Sequence, residues 1–172
     1  DLLAHKANVL KHGHGLWLRM FQELKQAYPE VEATPIHADA LLCALIQRPQ
    51  AFGVIAGDNY VGDLISDLLA AFQGGMGMAP SLSYAPHPAG RCRALAEPVH
   101  GSAPDLAGKD LANPAGIFLS TALLFRFAGW ETEALAVEKA VQQALEAGEG
   151  TPDVKGTLGC RAFSAALRAR LH

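Results

Sequence analysis

The sequence predicts an α/β fold. Short apolar runs bounded by Gly or Pro alternate with longer stretches of helical apolar spacing along most of the 172 residues. Half the chain is hydrophobic and 18% is charged, which supports a packed core and argues against extended disorder. Only a few strands are visible, thin for a complete sheet.

Taken in order, Leu2–Leu3–Ala4 leading into KANVL reads as a short buried strand. Residues 15–28 follow as an amphipathic helix, with Leu16, Met20, Phe21, Leu24 and Tyr28 at helical spacing and Pro29 as the stop. Residues 31–37 read as extended, and 39–47 as a helix closed by Pro49. FGVIAG, an apolar run between glycines, reads as a strand, followed at once by a helix over 61–73. Composition then shifts, and GGMGMAPSLSYAPHPAGR, rich in Gly, Pro and Ser, reads as loop or hinge. RALAEPVH reads as a strand and GSAPDLAGKDLANP as a second long loop. Asn113–Pro114 supplies an N-cap and a first-turn proline for a helix whose run, GIFLSTALLFRFAG, is apolar nearly all round and so predicts burial. Residues 131–147 form an amphipathic helix through Leu135, Val137, Val141 and Leu145, ended by Gly148. A last helix spans roughly 160–171. No internal repeat or low-complexity tract is visible.

Composition excludes several function classes. Net charge is −3 and the fourteen Lys and Arg are scattered, which argues against nucleic-acid binding through the phosphate backbone. No apolar run reaches the ~18 residues of a membrane span, and the first residues lack a secretory-signal pattern, so the expectation is no membrane. Cys43, Cys92 and Cys160 are odd in number, with no CxxC. They read as ordinary thiols, in keeping with a reducing cytoplasm. His12, His14, His37 and His87 have no partner at ligand spacing and read as surface or satisfied histidines; Trp17 and Trp130 read as packing residues. GGMGMA follows a helix and is incomplete, so it is rejected as a dinucleotide fingerprint.

Three features carry chemistry. Asp63 and Asp67 lie four apart in VGDLISDLLAAF, on one helix face, where like charges repel by roughly 0.2–0.5 kcal/mol. A bound Mg²⁺ or Mn²⁺ would relieve that repulsion, since one or two carboxylates plus water and substrate oxygens suit these ions. Taken alone, Asp63 also fits a helix N-terminus, Asp67 a solvated surface, and Asp39 a simple N-cap. Lys6, at the end of a buried strand, fits either a proton carrier or a side chain that reaches back to solvent. The loop from His100 to Asn113 contains Gly101, Ser102, Ala103 and Gly108, small enough for a ligand to approach the backbone, with a helix N-terminus behind it; a structural connection fits it too.

Read jointly, HKANVL (5–10), DALLCALIQRP (39–49), VIAGDNYVGDLISD (54–67), GGMGMAPS (74–81), EPVHGSAPDLAGKDLANP (97–114) and TPDVKGT (151–157) resemble, in order and separation, the β-decarboxylating dehydrogenases of the isocitrate/isopropylmalate dehydrogenase family. The resemblance covers essentially the whole chain but only the C-terminal half of the family's length. It implies a partial isopropylmalate-dehydrogenase-like fold. Residues 1–73 would be part of a small dimerisation and metal-binding domain, 74–78 a hinge, and 79–172 the C-terminal part of a large NAD-binding domain. It implies that Asp63 and Asp67 hold Mg²⁺ or Mn²⁺, with Asp39 arriving from the second subunit of a homodimer with a shared active site. Lys6 would be the active-site lysine, also given across the dimer, with Asn8 beside it near the nicotinamide. Asn59 occupies the matching position before the acidic helix. His100, Gly101, Ser102, Ala103, Asp105 and Asn113 would bind the adenosine. An acidic Asp105 would accept hydrogen bonds from ribose hydroxyls and repel a 2′-phosphate, hence NAD rather than NADP.

The implied reaction is oxidation and decarboxylation of a 2-hydroxy acid bearing a β-carboxylate, of the 3-isopropylmalate, isocitrate, homoisocitrate or tartrate/D-malate type. The side chains that would discriminate among these belong to the family's other half. The resemblance implies that the chain is a fragment or half-enzyme, the C-terminal half of such a dehydrogenase, active only with its N-terminal half; a truncated, non-catalytic paralogue acting as a dimerising or regulatory partner, and a dead domain that still binds NAD or metal, are the rival readings. Departures from the family pattern fall at Gly53, at Val61 and in KHGHG after the first strand.

Overall fold

The structure is a computed structural model and describes residues 1–86 and 92–171. His87 therefore lies outside the described residues. The chain divides into two compact units, Asp1–Leu69 and Ala70–His172.

The first unit is built on three short parallel strands: β1 (Leu2–His5), β2 (Thr34–His37) and β3 (Ile55–Ala56), in the order β2-β1-β3. Central β1 is buried because its neighbours cover both edges, and Leu3 and Ala4 are almost inaccessible. The helices are α1 (Gly13–Ala27), α2 (Ala38–Gln47) and α3 (Asn59–Phe72), the last running past the unit boundary. Leu41 and Leu45 of α2 and Val61 and Ile65 of α3 join Ala4 in the core, with Leu2, Ile36, Phe52 and Ile55 packed against it. Helix α3 begins earlier than its apolar pattern suggests, because Asp58 caps it. The Val61 N–H donates to Asp58 Oδ1 at 3.0 Å and the Gly62 N–H to the Asp58 carbonyl at 2.7 Å.

Helix α1 differs from the expectation its spacing gives. Leu16, Met20, Leu24 and Tyr28 are all exposed, and the buried residue of this helix is His14.

The second unit contains β4 (Pro80–Pro86), β5 (Cys92–Pro98), α4 (Ala115–Phe127), α5 (Glu131–Glu146) and α6 (Cys160–Ala169). The two strands pair antiparallel with Pro80 opposite Pro98 and Leu82 opposite Ala96. Over Pro80–Pro86 this corrects the reading of 74–91 as loop or hinge; 87–91 lie outside the described residues. In LSYA, backbone pairing to β5 outweighs the surrounding Pro, Gly and Ser, and Pro80 and Pro86 stand at the strand ends, where a missing N–H is tolerated. Two left-handed glycines, Gly74 (φ 110°) and Gly75 (φ 111°), and a 3₁₀ turn over Met76–Met78 precede the strand.

Helix α4 is also corrected: it is not buried all round. Its buried residues are the small ones, Ala115, Gly116, Ser120 and Ala122, whereas Ile117 is 45% exposed. Small residues allow close approach, so Ala122 meets Ala134 and Val137 of α5. Ser120 Oγ bonds to the Glu97 carbonyl (2.9 Å) and the Gly116 carbonyl (2.8 Å) and accepts the Ser81 N–H (3.3 Å), fastening the helix to both strands. Phe163 and Leu167 of α6 complete a core with Met78, Ala115, Val141 and Ala144. Trp130 lies beside Phe125 at 5.6 Å but is 57% exposed, and Trp17 is 39% exposed, so neither is a core residue. The three cysteines are free thiols.

Candidate active site

In the first unit, the carboxyl ends of the parallel strands gather the polar residues. Such ends are where open α/β sheets hold ligands. His5 of β1 pairs with His37 of β2 in the sheet register, which places Lys6 and Asp39 just beyond two neighbouring strand ends. Their side chains meet, with Lys6 Nζ 2.7 Å from Asp39 Oδ1. The hydrogen bond from Lys6, helped by the Asp39 backbone, holds the Asp39 carboxyl below its ordinary range. Asp39 therefore does more than open α2: it accepts a hydrogen bond from the Lys6 side chain.

Beyond β3, Asp58 caps α3, whose exposed face carries Asp63 and Asp67 one turn apart. Among the described residues neither carboxylate has an ion-pair partner. Both offer unshared oxygens, the donor set a hard divalent cation prefers, with open space for water and substrate oxygens. The residues fit such an ion. Asp39 is held by Lys6, and among the described residues of one chain no three acidic, His or Cys side chains gather for one ion. Asn8 and Asn59 are exposed, in the turn after β1 and at the first residue of α3.

Sequence reasoning missed a further link here. His14, only 5% exposed, accepts the Lys6 N–H at Nδ1 (2.8 Å) and has Nε2 3.0 Å from Asp58 Oδ2. The signal available was the departure KHGHG, which puts a titratable ring eight residues after Lys6. His5 is buried too, 4.6 Å from the His37 ring, and accepts the Ala7 N–H at 3.2 Å. Burial, then the neighbouring His37 and His14, pushes its pKa down from 6.5.

In the second unit a cavity of about 640 Å³ opens between the Gly75–Gly77 turn, the His100–Asn113 loop and the start of α6. His100, Gly101, Ser102, Ala103 and Asn113 line it, as does Gly108; Asp105 does not, although its neighbours Ala103 and Leu106 do. Ala103 is left-handed (φ 40°), the turn that leads into the 3₁₀ segment Pro104–Leu106. Asn113 Nδ2 donates to Asp153 Oδ2 at 2.9 Å while its Oδ1 accepts the Ala115 N–H, so one side chain closes the cavity wall and starts α4. The sequence reading gave no role to the three charged lining residues, Asp110, Asp153 and Arg161. Asp110 accepts the Cys160 N–H at its carbonyl and the Arg161 N–H at Oδ1, which ties the loop to the N-terminus of α6.

One unit with a parallel sheet and an acidic helix, and one with a loop-built cavity, define a class of mixed α/β protein. Comparison with known proteins makes it specific. The sequence pattern of the isocitrate/isopropylmalate dehydrogenase family matches residues 2–167, and the chain belongs to that family. It is 42% identical to the 3-isopropylmalate dehydrogenase of Methanothermobacter thermautotrophicus, over 98% of this chain and 50% of that protein. It is 43% identical to the isocitrate/homoisocitrate dehydrogenase of Thermus thermophilus, over 96% of this chain and 48% of the relative. Among solved structures it superposes on isocitrate dehydrogenase from Methylococcus capsulatus with a TM-score of 0.89 at 34% identity, covering 99% of this chain and 50% of that one. The fold is thus a partial one, and the chain spans about half the length of the curated relatives it matches.

Proposed function

We propose that the protein is an NAD- and divalent-metal-dependent dehydrogenase that oxidises and decarboxylates a 2-hydroxy acid with a β-carboxylate. It would act as a homodimer with shared active sites. The observation that carries the reading is the Lys6–Asp39 pair at the strand ends together with the unpaired Asp63–Asp67 face, in a chain of this family. Asp63 and Asp67 would hold Mg²⁺ or Mn²⁺, with Asp39 reaching the same ion from the second copy. Such an ion supplies Lewis acidity to the substrate's oxygens.

The chain's own groups would do the rest. Asp39 would orient the Lys6 side chain, and Lys6 Nζ would assist removal of the substrate hydroxyl proton. Bound NAD would supply the hydride acceptor for oxidation of the hydroxyl to a carbonyl, and loss of the β-carboxylate as CO₂ would leave its electron pair in an enolate that takes up a proton to give the 2-keto acid. Asn8 would sit by the nicotinamide. Asn59 stands at the first residue of the acidic helix, within the cofactor region of the site. The second unit's cavity would take the adenosine: His100, Gly101, Ser102, Ala103 and Asn113 would surround it, and Asp105 would turn towards the ribose hydroxyls. Isopropylmalate, isocitrate, homoisocitrate and D-malate or tartrate are the candidate substrates, as the names of the first two relatives suggest for the former three. Residues 1–73 would be part of the dimerising domain, 74–78 the hinge, and 79–172 part of the cofactor domain, in a cytoplasmic enzyme.

The test is NADH formation and CO₂ release with each acid, NAD and Mn²⁺ by this chain completed with the N-terminal half of the family's length, the chain alone giving none. Turnover with one acid, abolished by Lys6→Ala, is expected. A protein that binds NAD or Mn²⁺ yet turns over none of the acids would favour the non-catalytic reading.

A further inference from the structure

Lys6 and the cap of the acidic helix come from separate strand ends, and one ring joins them. The backbone returns from Lys6 through a tight turn in which the Lys6 carbonyl accepts the Val9 (2.9 Å) and Leu10 (2.8 Å) N–H groups. The Leu10 carbonyl then accepts the His14 N–H at 3.0 Å, which places His14 in the first turn of α1 beneath Lys6. Because Nδ1 accepts the Lys6 N–H, the ring proton sits on Nε2, which donates to Asp58 Oδ2. The other oxygen of Asp58 caps α3 at Val61. Both ring nitrogens are used, each in a different role, and the side chain is 6% exposed.

We propose that His14 is a positioning residue for the dehydrogenase site: its neutral imidazole fixes the Lys6 backbone through Nδ1 and the N-terminus of the metal-bearing helix through Nε2. The inference rests on the function proposed above. Its distinctive consequence is that the two nitrogens serve two different catalytic elements and can be separated. A Gln amide reaches the place of Nε2 and keeps the Asp58 bond; an Asn amide reaches the place of Nδ1 and keeps the Lys6 bond. A merely structural histidine would not divide in this way.

The experiment uses the intact protein, with His14→Gln, His14→Asn and, as controls, Lys6→Ala and Asp63→Asn. Turnover is measured alongside direct Mn²⁺ titration and thermal unfolding. His14→Gln is expected to lower kcat about 10- to 100-fold with Mn²⁺ affinity retained, the usual scale for residues that orient a catalytic group. His14→Asn is expected to weaken Mn²⁺ binding about 10-fold while kcat at saturating Mn²⁺ is largely kept. Two variants that lose activity only in proportion to folded protein, or that leave both readouts unchanged, overturn the inference. If Lys6→Ala abolishes turnover and the histidine variants do not, the inference alone fails; if the control variants also leave turnover and Mn²⁺ binding intact, the proposed site fails with it.

Discussion

At the scale of single residues, the chain shows how far environment decides what a side chain can do. Asp39, Asp63 and Asp67 are all carboxylates on helices, yet among the described residues only Asp39 is matched to a cation. The free pair is the proposed ion-binding face, so Asp63→Asn or Asp67→Asn should weaken Mn²⁺ binding in direct titration; unaltered affinity would remove them as ligands. Asp105 stands outside the cavity lining, and the ribose role proposed for it rests on charge. Asp105→Lys should shift preference from NAD towards NADP, and an unchanged ratio of kcat/KM values would refute the ribose assignment. Gly77 is fixed by space: a Cβ there would stand 2.7 Å from Asn113 Cβ and 2.9 Å from Asp153 Oδ2. Gly77→Ala should destabilise the protein by about 1–3 kcal/mol, as overpacking does, and weaken NAD binding by disturbing the Asn113–Asp153 wall. Thr151 is the converse case. Its hydroxyl is fully buried with no partner among the described residues, so Thr151→Val should be neutral or stabilising in thermal unfolding.

At the scale of elements, the positions of helices were legible because apolar spacing and caps agree: Gly148 is left-handed (φ 73°) just past α5, and Asn113 starts α4. Strand β4 was not legible, because its pairing is a property of two segments and its own composition is that of a loop. The apolar run of α4 misled for a related reason. Periodicity reports hydrophobicity, whereas burial there follows size, and the alanines and Ser120 lie innermost. Ser120→Ala removes one hydroxyl that serves Ser81, Gly116 and Glu97, and should cost about 1–3 kcal/mol in chemical denaturation. The His14–Asp58 link was illegible because it spans 44 residues and depends on how β1 and β3 end side by side. The Asp63–Asp67 spacing, by contrast, is written into a single helix and needs no tertiary information.

At the scale of the whole molecule, acid stability follows from two groups shifted in the same direction for different reasons. His5 has its pKa lowered by burial, so protons bind the unfolded chain first. Stability should fall as pH drops below 6.5 and keep falling to the lowered folded-state pKa. Asp39 is also lowered, so the Lys6 pair contributes fully above 3.8 and is lost as pH falls through the folded value. Unfolding followed against pH should therefore show a first decline beginning near neutrality. His5→Asn, which can still accept the Ala7 N–H, should remove that decline; an unchanged pH profile would contradict the assignment. The proposed assembly has Lys6 and Asp39 of one copy completing the acidic face of another. The most direct measurement mixes inactive Lys6→Ala with inactive Asp63→Asn protein after subunit exchange. Shared sites predict recovered NADH formation, because each mixed pair contains one site with neither substitution. If the mixture stays as inactive as its components while exchange is demonstrated, each copy carries its own complete site and the account is wrong.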